Sequence, residues 1–206
     1  SFYSCFNISA EILSDVGITT MTFKIRPAQR TDCDSIMDLI RELADYERML
    51  DSVKIGASDL ANDLFDEARS DEQPWACVNL ATITTSDNAE QVVGYVLYFF
   101  IFKADTLERV AYMEDLYVRP QHRRKGIGRA LWRSVAEHGL REDCDVLNWE
   151  VLNWNKPALD FYVEHGATNI SASEGYQHLR LTSDVLKVLE CGSETPCGSE
   201  PARADL

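Results

Sequence analysis

The sequence predicts an α/β domain, a mixed central β-sheet flanked by helices, on three observations. Val92 to Phe102 (VVGYVLYFFIF) is the longest apolar run. It is about half of what a membrane span needs, and its β-branched and aromatic content marks a buried strand. Ile36, Leu39, Ile40, Leu43 and Ala44 recur at helical spacing. Over residues 21–190, strand-like and helix-like segments follow the order β, α, α, β, β, β, α, β, α, β.

Phe23 to Arg26 reads as a short strand. Thr31, with Asp34 three residues on, can cap a helix over 33–47. Ser58 caps a second helix, over 58–68, with Leu60, Leu64 and Phe65 as its apolar stripe. Trp75 to Ile83 and Val92 to Phe102 make an antiparallel hairpin around the turn Ser86-Asp87-Asn88. Tyr112 to Val118 is a further strand, leading through Arg119-Pro120-Gln121-His122 into a helix from Ile127 to Leu140. Val146 to Leu152 is a strand. Asn155 as cap and Pro157 in the first turn open a helix that runs to His165 and stops at Gly166. Tyr176 to Leu181 is the last strand and Asp184 to Leu189 a short closing helix. Residues 21–190 show no internal boundary and read as one domain. Residues 1–20 hold no Lys or Arg, so they resemble neither a secretory signal nor a transit peptide. Met21 reads as the functional start and 1–20 as an extension outside the fold. Residues 191–206, rich in Gly, Ser, Glu and Pro, read as a flexible tail.

The 20 Lys+Arg against 34 Asp+Glu leave a formal net charge of -14, with 45% hydrophobic residues. That profile excludes a disordered chain, a collagen and a membrane-embedded protein. The acidity argues against a nucleic-acid binder and suits either a cationic ligand or solubility alone. The 6 cysteines are scattered, with no CxxC and no His at metal-ligand spacing. Free thiols, a reducing cytoplasmic location and no metal are therefore expected.

Against this acidity, Val118 to Arg133 (VRPQHRRKGIGRALWR) is anomalous: Arg119, Arg123, Arg124, Lys125, Arg129 and Arg133 have no acid among them. Gly126 and Gly128 fall at the strand-to-helix turn, where glycine lets an anion approach and a helix N-terminus offers free N–H groups. The assembly suits a pyrophosphate; a solvated basic turn is the other reading. The dinucleotide fingerprint and the Walker loop are both absent.

The stretch Arg123-Arg124-Lys125-Gly126-Ile127-Gly128 resembles the acetyl-CoA loop of the GNAT N-acetyltransferases, [QR]-x-x-G-x-[GA]. Further stretches resemble the spermidine/spermine branch, which includes diamine and thialysine acetyltransferases. They are Ile25-Arg26-Pro27-Ala28, Leu43-Ala44-Asp45-Tyr46-Glu47, Tyr112-Met113-Glu114-Asp115-Leu116-Tyr117-Val118, Trp154-Asn155-Lys156-Pro157-Ala158, Phe161-Tyr162, Gly166-Ala167 and Glu174-Gly175-Tyr176. They run in family order over residues 23–188.

The resemblance implies a GNAT fold, a homodimer and acetyl-CoA as donor, with neither membrane nor nucleic acid as partner. Leu116, Tyr117 and Val118 would meet the pantetheine and thioester. The loop Arg123, Arg124, Lys125, Gly126, Ile127, Gly128 and Arg129 would hold the pyrophosphate, and Asn155, Lys156, Pro157 and Ala158 would also face the cofactor. Tyr162 falls on the family's general acid; Tyr46, Glu47, Glu114, Asn148, Trp149, Glu150 and Glu174 surround the amine. Arg124 stands where relatives often have Gly, Tyr176 replaces a frequent Trp, and Glu150 is an acid where an apolar residue is usual.

The chemistry of the residues fits. An alkyl ammonium has a pKa near 10.4, so only about one molecule in a thousand is free amine near neutrality. A carboxylate can hold the cation and, through a water, remove its proton. Glu114 is the candidate base; Glu114 and Asp115 alternate on a strand and so should face opposite ways. Simple pairing of both with Arg or Lys is the plainer reading. N–H groups near Tyr117 and Val118 could stabilise an oxyanion, and the Tyr162 phenol could protonate the leaving thiolate; on spacing alone Tyr162 reads more readily as a core aromatic, and the family resemblance reverses that. Trp149 is read as a packing residue first. The expected function is acetyl transfer to a primary amine of a small diamine or polyamine by direct attack in a ternary complex. The alternatives are a thialysine-type amino acid as acceptor, a catalytically weak acyl-CoA-binding protein, and protein lysines as acceptors.

Overall fold

The computed structural model describes residues 8–11, 22–65, 75–104, 106–174, 180–182 and 185–186. The chain divides into two compact units, Ser1–Glu150 and Val151–Leu206. The first holds a six-stranded sheet whose order follows the chain: β1 (Ile8–Glu11), β2 (Thr22–Pro27), β3 (Cys77–Thr84), β4 (Glu90–Lys103), β5 (Glu108–Val118) and β6 (Val146–Trp149). Neighbours pair antiparallel except β5 and β6, which are parallel, so the sheet is mixed as expected. Four residues read from sequence as outside the fold, Ile8–Glu11, form β1 against β2; their period is too short to register in the sequence.

Helix α1 (Cys33–Tyr46) and helix α2 (Ala57–Phe65) cover one face. Ile36, Met37, Leu39 and Leu43 of α1 and Leu60 and Leu64 of α2 pack with Val78, Leu80, Tyr95 and Tyr117 of the sheet. Ile36 and Leu39 are fully buried, and such side chains each contribute about 2 kcal/mol of transfer free energy. Helix α3 (Ile127–Arg141) covers the other face. There Ser134 accepts a 2.9 Å bond from Asn79 Nδ2 and donates to Leu131 O, while the Tyr98 hydroxyl meets His138 Nδ1 at 2.8 Å. These bonds satisfy polar groups that burial would otherwise penalise.

A β-bulge in β5 organises the site. Leu97 pairs with Asp115 but Tyr98 pairs with Met113, leaving Glu114 as the extra residue. The two ends of β5 report the slip. A Cβ added to Gly139 of α3 would lie 3.3 Å from Ala111 Cβ, and one added to Gly128 would lie 3.9 Å from Val118 Cγ2. Ala111 and Val118 thus both face α3 although their positions differ by an odd number, which an unbroken period of two forbids. Tyr112, stacked on Phe99 at 5.1 Å, and Asp115, bonded to Tyr95, face the α1 side.

The parallel ladder of β5 with β6 ends at Met113↔Trp149. Beyond it the strands part, and β6 stops three residues short of the expected Leu152. In the second unit, α4 (Lys156–Glu164) opens with Asn155 before it and Pro157 in its first turn, as expected. A short α5 (Ile170–Glu174) follows. The expected strand 176–181 and closing helix 184–189 lie mostly outside the described residues. No helix among the described residues is long and apolar enough to cross a membrane.

Candidate active site

Among the described residues, the last residues of β5 have β4 on one side and no strand on the other. Backbone groups alternate edges, and Arg119 N donates to Val93 O of the β4 strand at 2.9 Å. Tyr117 therefore also addresses β4, and its carbonyl lies 2.7 Å from where a Gly94 Cβ would stand. Leu116 and Val118 address the open edge. Tyr117 was expected to offer backbone to the cofactor; the pairing with Tyr95 uses it instead. Leu116 N–H and C=O and Val118 N–H remain for an extended ligand, while Val118 O accepts Arg123 Nε at 2.7 Å.

The loop after β5 turns on two left-handed residues, Arg124 at φ 62 and Gly126 at φ 73. This backbone turn delivers the first N–H groups of α3, those of Ile127, Gly128 and Arg129, to one spot. The first helical bond runs from Ala130 N to Gly126 O, so those three donors have no helical acceptor. The Ile127 side chain is buried in the core, so only its backbone can serve.

The six cations do not act together. Arg119 pairs with Glu42 at 2.9 Å, and Arg133 pairs with Glu137 at 2.6 Å. Both acids lie outside the basic stretch, which is why the local sequence shows none. Lys125 Nζ donates to Gln121 O at 3.0 Å. Arg124 and Arg129 have no acidic partner among the described residues and are the cations available to phosphate. The Arg123 guanidinium lies 5.3 Å from the ring centres of both Tyr46 and Tyr117.

The carboxylates gather on the α1 face. Asp115 accepts the Tyr95 hydroxyl at 2.8 Å, and burial raises its pKa. Glu114 shares that face through the bulge, contrary to simple alternation. Burial, then the charges of Asp115 and Glu150, raise its pKa. Burial and then Asp115 do the same for Glu47, which caps the end of α1. Asn148 is the register partner of Tyr112 and shares its face. Glu150, one residue beyond the ladder, accepts the Tyr112 hydroxyl; burial and the two glutamates push that phenol up to about 12.

Trp149 does not belong with these residues. It packs edge-on against Trp132 of α3, centroids 5.8 Å apart, because the period of two turns it away from Asn148 and Glu150. It is a half-buried packing aromatic on the opposite face.

In the second unit, Lys156 binds Asp160 at 2.6 Å and Asn155 O accepts from Ala158 and Leu159. Tyr162 is buried, with its phenol pushed up to about 12 by desolvation. Glu174 ends α5.

A strand edge open among the described residues lies beside a turn of free N–H groups: a linear amide chain suits the edge and a diphosphate suits the turn. Comparison with known proteins agrees. The model of the acetyltransferase (GNAT) family matches residues 40–167, and the chain belongs to that family. It is 38% identical over 168 residues to thialysine N-epsilon-acetyltransferase of Bos taurus, covering 80% of this chain and 95% of that protein. It is 30% identical over 166 residues to the human spermidine/spermine N(1)-acetyltransferase-like protein 1, covering 80% of this chain and 23% of that one. Among solved structures, the V. cholerae integron cassette protein VCH_CASS6 matches with a TM-score of 0.62 and 26% identity, covering 84% of this chain and 99% of that one.

Members of this family use acetyl-CoA, and the residues present fit it. A diphosphate has the donors of Ile127, Gly128 and Arg129 with Arg124 beside them, and a pantetheine has Leu116 and Val118. Among the described residues no group of three His, Cys, Asp or Glu could hold a metal ion.

Proposed function

We propose that the chain is a cytoplasmic, homodimeric N-acetyltransferase acting on a primary amine of a small diamine or polyamine. The observation that carries this reading is the shared face of Glu47, Glu114, Asp115 and Glu150 at the point where β5 and β6 part. Four acids on one face bind a cation well, and the free amine must be made there. Tyr46, Asn148 and Glu174 complete the amine surroundings on the family resemblance.

Acetyl-CoA supplies the activated thioester. Glu114, acting through a water, takes one proton from the bound ammonium, and the freed nitrogen attacks the carbonyl carbon. Open-edge N–H groups of β5 favour the charge gathering on the carbonyl oxygen. The C–S bond breaks, and Tyr162 gives its proton to the departing sulfur. A phenol raised to about 12 stays protonated across the neutral range, as a general acid requires. As the amide forms, its nitrogen sheds its second proton, which restores the Tyr162 phenolate to the phenol. The products are an N-acetyl amine and free CoA, with the proton taken by Glu114 returned to solvent. Tyr162→Phe is expected to lower kcat at least tenfold while acetyl-CoA affinity holds within about twofold; an unchanged kcat removes Tyr162 from this role.

Glu150 favours a diamine over a monoamine, because only a diamine keeps a second cation once its reacting nitrogen is neutral. A charge-assisted hydrogen bond contributes about 1.5–3 kcal/mol. Glu150→Leu should lower kcat/KM for putrescine about tenfold and leave n-butylamine within about twofold. Equal losses would dismiss Glu150 from substrate choice. The second reading, a thialysine-type acceptor, rests on the relatives of that name at 37–38% identity. Putrescine and thialysine offered together at equal concentration separate the two readings by the mass of the acetylated product.

A further inference from the structure

We infer that Tyr112 is a positioning residue that fixes the Glu150 carboxylate at a set span from Glu114, so that diamines are selected by chain length. The inference rests on the proposed diamine reading and names a finer preference within it.

Tyr112 precedes Glu114 by two residues on β5, and the bulge brings both to the α1 face. The Tyr112 ring is stacked on Phe99 of β4, with centroids 5.1 Å and planes 29° apart. Such a stacked pair favours one ring orientation and so gives the hydroxyl one place. That hydroxyl donates to Glu150, and the charges of both Glu150 and Glu114 act on it. Tyr112 thus lies between the candidate base and the acid proposed for the second cation.

The bond gives an exposed acid a fixed place. Glu150 stands one residue beyond the last β6 pair, Met113↔Trp149, where the strands part. A glutamate at an exposed position has several rotamers open to it. A charge-assisted bond from a phenol selects among them, and a carboxylate has acceptor capacity left for an ammonium. A fixed acid at a fixed distance from the base favours the chain whose two nitrogens span that distance. A mobile acid would follow any diammonium, whatever its length. The charge of Glu150 acts on Glu114, so the span is short and suits a chain of few methylenes. Charge alone would favour diamines over monoamines without ranking the diamines among themselves.

The test is steady-state kcat/KM for α,ω-diamines of three to seven carbons, each divided by the value for the n-alkylamine of the same length. That ratio removes the apolar contribution of the chain. In the wild-type protein it should peak at one length and fall about fivefold two carbons from the peak. Tyr112→Phe keeps the ring on Phe99 and loses only the hydroxyl. It should flatten the profile to within about twofold and leave n-butylamine within about twofold of wild type. In a Glu150→Leu background the same change should have no further effect on diamines, because the two side chains act as a pair. Glu150→Asp keeps the charge but draws it back from the phenol, and should flatten the profile in the same way. Thermal melts identify any variant that fails to fold; if Tyr112→Phe fails, the exposed Glu150→Asp change decides. A peak that persists in Tyr112→Phe or in Glu150→Asp overturns the inference. Equal losses for n-butylamine and the diamines in Tyr112→Phe also overturn it, since the hydroxyl then serves the reacting nitrogen. A flat wild-type profile with diamines above monoamines overturns the length selection and leaves the diamine reading standing. Diamines no better than monoamines, or turnover of neither, overturn both.

Discussion

Replacing Glu114 by Gln lowers kcat for every accepted amine by about a hundredfold, within the range a positioned general base supplies. The amide keeps the shape and the hydrogen-bonding edge but cannot take a proton. CoA affinity, which depends on the loop before α3, stays within about twofold. The pH profile gives an independent check. Glu114 works only as the carboxylate, and burial with the charges of Asp115 and Glu150 raises its pKa. Activity therefore falls as pH drops through that raised value. Glu150→Gln removes one like charge, lowers the Glu114 pKa and moves the acid limb to lower pH. A limb that stays in place in Glu150→Gln, or Glu114→Gln with wild-type kcat, assigns the proton transfer to another group.

The second large effect falls on Gly126. Its φ of 73 is left-handed, and the three free N–H groups of α3 follow it. Gly126→Asp sets a negative charge among donors meant for a diphosphate and should weaken CoA about a hundredfold by titration. Gly126→Asn is nearly the same size, tolerates the left-handed region comparably and carries no charge. It should cost tenfold or less. The ratio of the two variants isolates the electrostatic part. Wild-type CoA affinity in Gly126→Asp would mean that the diphosphate sits elsewhere.

Much of this molecule is legible in its sequence. The α1 stripe from Ile36 to Leu43, the strand from Val92 and the turn at Gly126 follow from periodicity and from glycine chemistry. What escapes is what depends on register. Nothing in Met113-Glu114-Asp115 announces a bulge, and strict alternation then sends Glu114 and Asp115 to opposite faces. The structure puts them on one. The same period of two, applied from Asn148, would have turned Trp149 toward α3. An indole beside a supposed cation site invites the opposite reading. The basic stretch looked like six free cations because its acids, Glu42 and Glu137, come from α1 and from further along α3. A local motif is silent about partners that only the fold supplies. Arg123 is the clearest case: the loop motif marks it for phosphate, while its guanidinium lies between two tyrosines from distant parts of the chain.

The central claim is acetyl transfer to a small free amine. Release of the CoA thiol from acetyl-CoA tests it most directly, with putrescine, spermidine, spermine, thialysine and a lysine-containing peptide offered separately. The account predicts fast release with putrescine, spermidine or spermine, and little with the peptide. Release with none of the five, from protein that binds CoA, would contradict it.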